Sequence, residues 1–274
     1  MKLIKLAILT AAATLFAACE ENGGGPVDPN LNPLEVNKAG VLAASETWSG
    51  DSIYVLNGRV VVPAGVELTI EPGTIIKGKE GDGANASTLI IAQGGMIDAQ
   101  GTESAPIIMT SVLDNITVGQ QAGTNLDETD AGLWGGLIVL GYAPISADAA
   151  TALIEGLPAN EAYAVYGGTD AADNSGSIEY VSVRHGGTLL GDGNEINGIT
   201  LAGVGSTTVV NNIEVVANVD DGTEFFGGTV NASNLLVWAQ GDDALDIDQA
   251  YSGTIDNALV ILGDFSDHAF EIDG

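Results

Sequence analysis

The chain has 274 residues, and 37 acidic against 7 basic side chains leave it a formal net charge of −30. Such a field repels phosphate backbones and anionic lipid head groups, which excludes nucleic acid as a partner and leaves cations or neutral ligands. An apolar content of 45% excludes a disordered acidic tail, and a single cysteine excludes a disulfide framework.

Met1-Lys2-Leu3-Ile4-Lys5 is a basic start, followed by an apolar run from Leu6 to Phe16 and by small residues before Cys19. That run is shorter than the roughly 20 residues of a membrane span, so residues 1–18 are expected to be a signal peptide that is removed rather than folded. Leu15-Phe16-Ala17-Ala18-Cys19 resembles the lipobox of bacterial lipoproteins, which implies lipid on Cys19 and contact with the membrane through it. Residues 19–33 read as a polar Gly/Pro/Asn-rich tether. Its first residues, Glu20-Glu21, resemble the surface-export signal of Bacteroidota lipoproteins, which implies an outer-membrane lipoprotein exposed at the cell surface.

Residues 34–274 are expected to form one domain. Tyr54 to Pro63, Val66 to Gly73 and Thr74 to Lys77 are short β-rich runs, each ended by Gly or Pro, and Ser87 to Ala92, Gly95 to Ala99 and Pro106 to Val112 continue the pattern. A polar insertion spans Asp114 to Thr129 before Trp134 to Leu140 resumes the strand signal. A second irregular segment, Ser146 to Asn174, reads as a spacer with a short helical piece at Asp148 to Leu153. In a stacked fold such insertions leave on one side, often the binding side.

From Val216 onward the chain repeats itself. Asp220 to Phe226, Asp242 to Asp248 and Asp267 to Asp273 align, and between them Asn212, Asn234 and Asn257 each open a short apolar run, spaced 22 and 23 residues apart. A fixed period of this length with alternating segments predicts an all-β solenoid, a parallel β-helix of about 22 residues per rung. The Asn series predicts stacked corners, because Asn tolerates the left-handed conformation and its side chain bonds to its own kind. The chain stops partway into a rung at Gly274, so further rungs and a cap are expected beyond it.

Alternation then assigns faces. With Leu245, Ile247, Phe270 and Ile272 inward, Ala244 and Ala269 point outward along with three columns: Asp220/Asp242/Asp267, Glu224/Asp246/Glu271 and Phe226/Asp248/Asp273. Rungs lie about 4.8 Å apart, so like charges in one column repel. A bound cation, protonation or splaying into water would each relieve this. Eight carboxylates, Asp220, Glu224, Asp242, Asp246, Asp248, Asp267, Glu271 and Asp273, are a ligand set of the hard oxygen type that suits Ca²⁺. Phe226 and Trp238, both outward by alternation, are candidates for stacking on a sugar ring. His185, at a strand end before Gly186-Gly187, reads as a hydrogen-bonding corner residue.

Val66 to Gly78, Leu133 to Leu137 and Asp220 to Gly228 together resemble secreted bacterial lipoproteins with a right-handed parallel β-helix, of the pectin-lyase-like superfamily. The resemblance implies the fold and the compartment but no chemistry. A second one, to polygalacturonase-type glycosidases, rests on Asn218-Val219-Asp220, Gly241-Asp242-Asp243 and Asp267-His268-Ala269. It implies Asp243 as general acid, Asp220 and Asp242 as the bases that activate water, and His268 as their support. Val219 stands where that pattern has Thr, Ala269 where it has Gly, and its Arg-Ile-Lys has no counterpart up to Gly274. The leading expectation is a surface lipoprotein that acts as a structural module or binds a glycan, Ca²⁺ or both; the alternative is a glycan-cleaving hydrolase.

Overall fold

The computed structural model describes residues 33–273, apart from 156, 158–160 and 192–193. The leader, Cys19 and the tether up to residue 32 lie outside the described residues. Seventeen strands join one ladder whose pairings are all parallel, as the repeat predicts. Val209–Val216, for example, pairs with Gly176–Arg184 on one side and with Asn231–Trp238 on the other. This is a parallel β-helix. Each strand takes its partners from the neighbouring turns of the coil, so an interior rung is held by backbone bonds to the rung on either side.

The corners follow from single left-handed residues. Tyr180, Asn212, Asn234 and Asn257 have φ of 50°, 54°, 56° and 62°. At this column the ladder skips a residue: pairing runs Glu179↔Asn211 and resumes at Val181↔Ile213. Three of the four are Asn, which pays little for φ > 0. Their side chains climb the stack. Asn257 Nδ2 donates to Asn234 Oδ1 at 2.6 Å, and Asn234 Nδ2 donates to Asn211 Oδ1 at 2.8 Å, so the last acceptor is the neighbour of Asn212 rather than Asn212 itself.

Between corners, alternation aims apolar side chains inward. Val183, Val215 and Val237 stack in one register column, and Leu201 with Phe225 in another; all are buried in the central core. Burying one such side chain stabilises the fold by about 1.5–3 kcal/mol, and the stack repeats this on every turn. Ala244, expected outward, belongs to this core. It precedes the strand Leu245–Asp248, so strand alternation does not govern it.

The two insertions behave differently. The Ser146 to Asn174 segment is more than a spacer, and residues 148–151 are bends and coil rather than helix. Ala152–Leu153 pairs antiparallel with Val165–Tyr166, and Ile154, Leu157, Ala164 and Tyr166 form a second apolar cluster against Ile138, Ala202 and Phe226 of the rungs. The 114–129 segment packs only Ile116 and Val118 against Ile53, Val55, Ile75 and Ile108 of the rungs, and polar bonds hold much of the rest. Asn115 receives the Thr124 N–H at its Oδ1 (2.8 Å), and Asn125 Oδ1 receives the Asn115 N–H (2.9 Å).

Candidate functional site

The acidic repeats sit where each rung turns from one face to the next. Ala217 and Ala239, with φ of 54° and 56°, leave the strands Val209–Val216 and Asn231–Trp238. A buried amide then fixes each turn from inside. Asn218 Nδ2 donates to the carbonyls of Asp221 (2.9 Å) and Ile196 (3.0 Å), and Gln240 Nε2 donates to those of Asp242 and His268 (both 3.3 Å). Gly222 is required at the end of its turn: a Cβ there would lie 2.4 Å from Val237 Cγ1 and 2.6 Å from the Ala244 carbonyl oxygen.

The second Asp of each Asp-Asp pair faces inward and holds the next rung. Asp221 Oδ1 accepts the Asp243 N–H at 3.0 Å, and Asp243 Oδ1 accepts the His268 N–H at 2.9 Å. Both carboxylates are buried. Strand parity points to Asp220, Asp242 and Asp267 and does not single out Asp221. The signal that finds it is the repeat itself, since Asp221 and Asp243 occupy one position of successive rungs.

Around Asp221 the acids converge. Carboxylate oxygens of Asp220, Asp221 and Asp242 all lie within 4.8 Å of one another, and so do those of Asp221, Glu224 and Asp246. The pairings Glu224↔Asp246 and Asp246↔Glu271 place the middle column as expected. Its solvent exposure is not as expected: Glu224 is buried, Asp246 half-buried and Glu271 exposed. Glu224 loses its water because it sits at the deep end of the covered face, where Asn197 Nδ2 donates to its Oε2. Asp248, Asp267, Glu271 and Asp273 join neither oxygen cluster. Asp248 instead accepts the Gln249 N–H at 2.6 Å.

Burial and mutual repulsion dominate the protonation of this corner. Burial, with the charge of Asp220 beside it, pushes Asp221 up to about 8. Burial, then the charges of Asp221 and Asp246, pushes Glu224 up to about 10. Asp246 and Asp242 are raised by burial and by neighbouring carboxylates. Exposed Glu271 is raised by its contact with Asp243 and by the charges of Asp243 and Asp246. His268 Nδ1 lies 3.2 Å from Asp243 and 3.3 Å from Asp267. Asp246 Oδ1 is buried with no hydrogen-bond partner.

The two aromatic candidates part company. Phe226 is not exposed: it is buried under the 146–174 segment, its ring centroid 5.9 Å from that of Tyr166. Trp238 does face outward, at the mouth of a cleft formed with Arg184, His185, Glu214 and the 114–128 segment. His185 has the expected corner role, with φ of 61° and Nδ1 2.7 Å from the Asp130 carbonyl.

A family model described as a pectate-lyase like beta helix domain matches residues 40–274, nearly the whole of the ladder. The chain belongs to this family. No curated protein and no solved structure matches it. Membership places the chain in the pectin-lyase-like superfamily, and such a β-helix fits a carbohydrate-binding or polysaccharide-acting role. In this member of the pectate-lyase-like family, carboxylates converge at the turn that carries Asp220, Asp221 and Asp242. Ca²⁺ takes 6–8 oxygen ligands at about 2.3–2.6 Å, so oxygens on opposite sides of it stand within about 5 Å of each other. Both clusters meet that span, and Asp246 Oδ1 has an open acceptor position. The donor set fits the ion.

Proposed function

We propose that this protein is a surface-anchored carbohydrate-binding β-helix whose acidic turn holds a divalent cation of the Ca²⁺ type. The observation that carries the cation is the convergence of four acids on the buried carboxylate of Asp221. Unprotonated, these groups repel one another at short range in a desolvated site. A doubly charged ion with hard-ligand preference offsets both costs. Asp220, Asp221, Glu224, Asp242 and Asp246 would hold it, and it would supply positive charge to a ligand otherwise facing only carboxylates. The carbohydrate part of the reading is supported by the family and by the exposed indole of Trp238.

The test is the melting temperature of the mature protein after chelation, with and without millimolar Ca²⁺. A ligand bound only by the native state raises it. Asp221→Asn keeps the oxygen that accepts the Asp243 N–H and removes the charge, so the rise is expected to vanish in that variant. No rise in the unmodified protein sinks the cation reading.

A second reading, glycan hydrolysis, is favoured by one observation: Asp220, Asp242 and Asp267 line a single open cleft. Asp220 and Asp242 would activate water there, with His268 and Asp243 behind them. Asp243 does not line that cleft, and its Oδ1 is engaged by the His268 N–H. A reducing-end assay on a glycan panel tests it: Asp243→Asn abolishes turnover and leaves binding intact if the hydrolase reading holds. The lipid anchor is tested separately, by mass spectrometry of the mature N-terminus and release of the Cys19→Ala variant from membranes.

A further inference from the structure

We infer that the cleft between the 114–128 segment and Trp238 is a subsite for an uncharged pyranose chain, and that it opens into a groove leading to Asp220 and Asp242. The inference rests on the carbohydrate reading above and names its site and ligand class.

The cleft encloses about 350 Å³, within the roughly 300–1,000 Å³ of small-ligand sites. Trp238 lies on its wall with 38% of its surface exposed, whereas Trp48 and Trp134 are completely buried. An indole face left in water beside polar groups suits a ligand with one apolar face and a rim of hydroxyls, as a pyranose has. The wall opposite is anchored. Asp114 Oδ1 receives the Ile116 N–H (2.9 Å) and Oδ2 the Thr110 hydroxyl (3.0 Å), and Gln121 bonds the Ser104 carbonyl (3.1 Å). A site so held needs little ordering when a ligand arrives.

Charge decides the ligand class. Asp114, Asp127, Glu128 and Glu214 line the cleft against one guanidinium, Arg184. That guanidinium is committed: its Nε donates to Ser182 Oγ (2.7 Å), one terminal nitrogen to Glu214 Oε2 (2.9 Å) and the other to the Gln121 carbonyl (2.8 Å). Three of its five N–H donors are spent in this way, and the surrounding carboxylates repel a uronate. The same carboxylates are good acceptors for sugar hydroxyls.

The groove continues past one sugar. Glu128 and Trp238 also line a second hollow with Gln240 and Phe265. Phe265 and Ser266 in turn line the cleft of Asp220 and Asp242. An extended oligosaccharide stacked on Trp238 would therefore lead toward the acidic turn.

The experiment is a fluorescence titration of the full mature protein with cello-, manno- and galacturono-oligosaccharides, at fixed Ca²⁺. Because the other two tryptophans are buried, an emission change reports on Trp238. Expected are a saturable change with a neutral oligosaccharide, none with the galacturonate, and binding by calorimetry weakened about tenfold or more in Trp238→Ala. Trp238→Phe is expected to retain part of the affinity, and both variants to keep the melting behaviour of the parent protein in Ca²⁺. Neutral-sugar binding undiminished in Trp238→Ala overturns the subsite and leaves the carbohydrate reading standing. Binding of the galacturonate alone overturns the ligand class. Absence of binding by any oligosaccharide overturns the carbohydrate reading together with the subsite.

Discussion

The two insertions that interrupt the ladder are of similar irregularity in sequence, yet one seals a face and the other opens a cleft. The 146–174 segment carries Ile154, Leu157, Ala164 and Tyr166, and these press on the rungs until Phe226 is buried. The 114–129 segment carries Asn115, Gln121, Thr124 and Asn125, which bond largely within the loop or to nearby backbone, and it leaves Trp238 exposed at the mouth of a cleft. What an insertion does to a solenoid face depends on how much of it needs the face as an apolar partner. The 114–129 segment anchors on the rungs through Ile116 and Val118 and satisfies much of the remainder by polar bonds, which leaves room for a ligand beside Trp238.

The sharpest break of this comparison is truncation of the two aromatics. Phe226→Ala removes a ring packed on both sides and is expected to cost about 3–5 kcal/mol, measured by chemical denaturation. Trp238→Ala sits at the other extreme, since substitution of a partly exposed side chain outside the core changes stability by about 0.5 kcal/mol or less. Equal losses in the two variants would contradict the sealed-and-open distinction.

Next in size is the cation. At a concentration 100 times its dissociation constant, a native-state ligand adds about 2.7 kcal/mol. Ca²⁺ is expected to stabilise the chelated protein on this scale. Asp221→Asn is expected to abolish that gain while raising the melting temperature of the chelated protein at pH 8, because folding no longer has to protonate a carboxylate or bury its charge.

The pH profile of the chelated protein sharpens the role of the sealed face. Burial pushes Asp221 up to about 8 and Glu224 up to about 10, well above the usual carboxylate range. Between that range and these values the folded state binds more protons than the unfolded one, so stability falls as pH rises. The melting temperature is expected to drop between pH 5 and pH 8 without cation. A flat profile would mean that these carboxylates are hydrated. A small effect is expected from Asn115→Ala, which removes the side-chain bonds to Thr124 within the loop and should cost about 1 kcal/mol, above the Trp238→Ala effect and well below that of Phe226→Ala. It is also expected to weaken sugar binding through the loosened wall.

Much of the fold was legible because a coil of rungs repeats its physics at a readable interval. The left-handed corners at Asn212, Asn234 and Asn257 and the column Glu224/Asp246/Glu271 follow from spacing and alternation, and the register agrees with both. Alternation failed where the chain leaves a strand. Ala244 turned inward and Asp221 escaped notice because both lie in the turn, where the direction of a side chain is set by local bonds such as that from Asn218.

By itself the sequence determined the parallel stacking, the corner positions and the meeting of acids on adjacent rungs, because backbone period and like-with-like stacking are local and additive along the coil. Only the tertiary structure decided which acids are buried, which aromatic is exposed and which oxygens converge on Asp221. The acids are placed by bonds between neighbouring turns, such as the Asp243 N–H to Asp221, and the aromatics by how two insertions fold back over the rungs. No period in the chain encodes that return; it is set by how much apolar surface each insertion must cover.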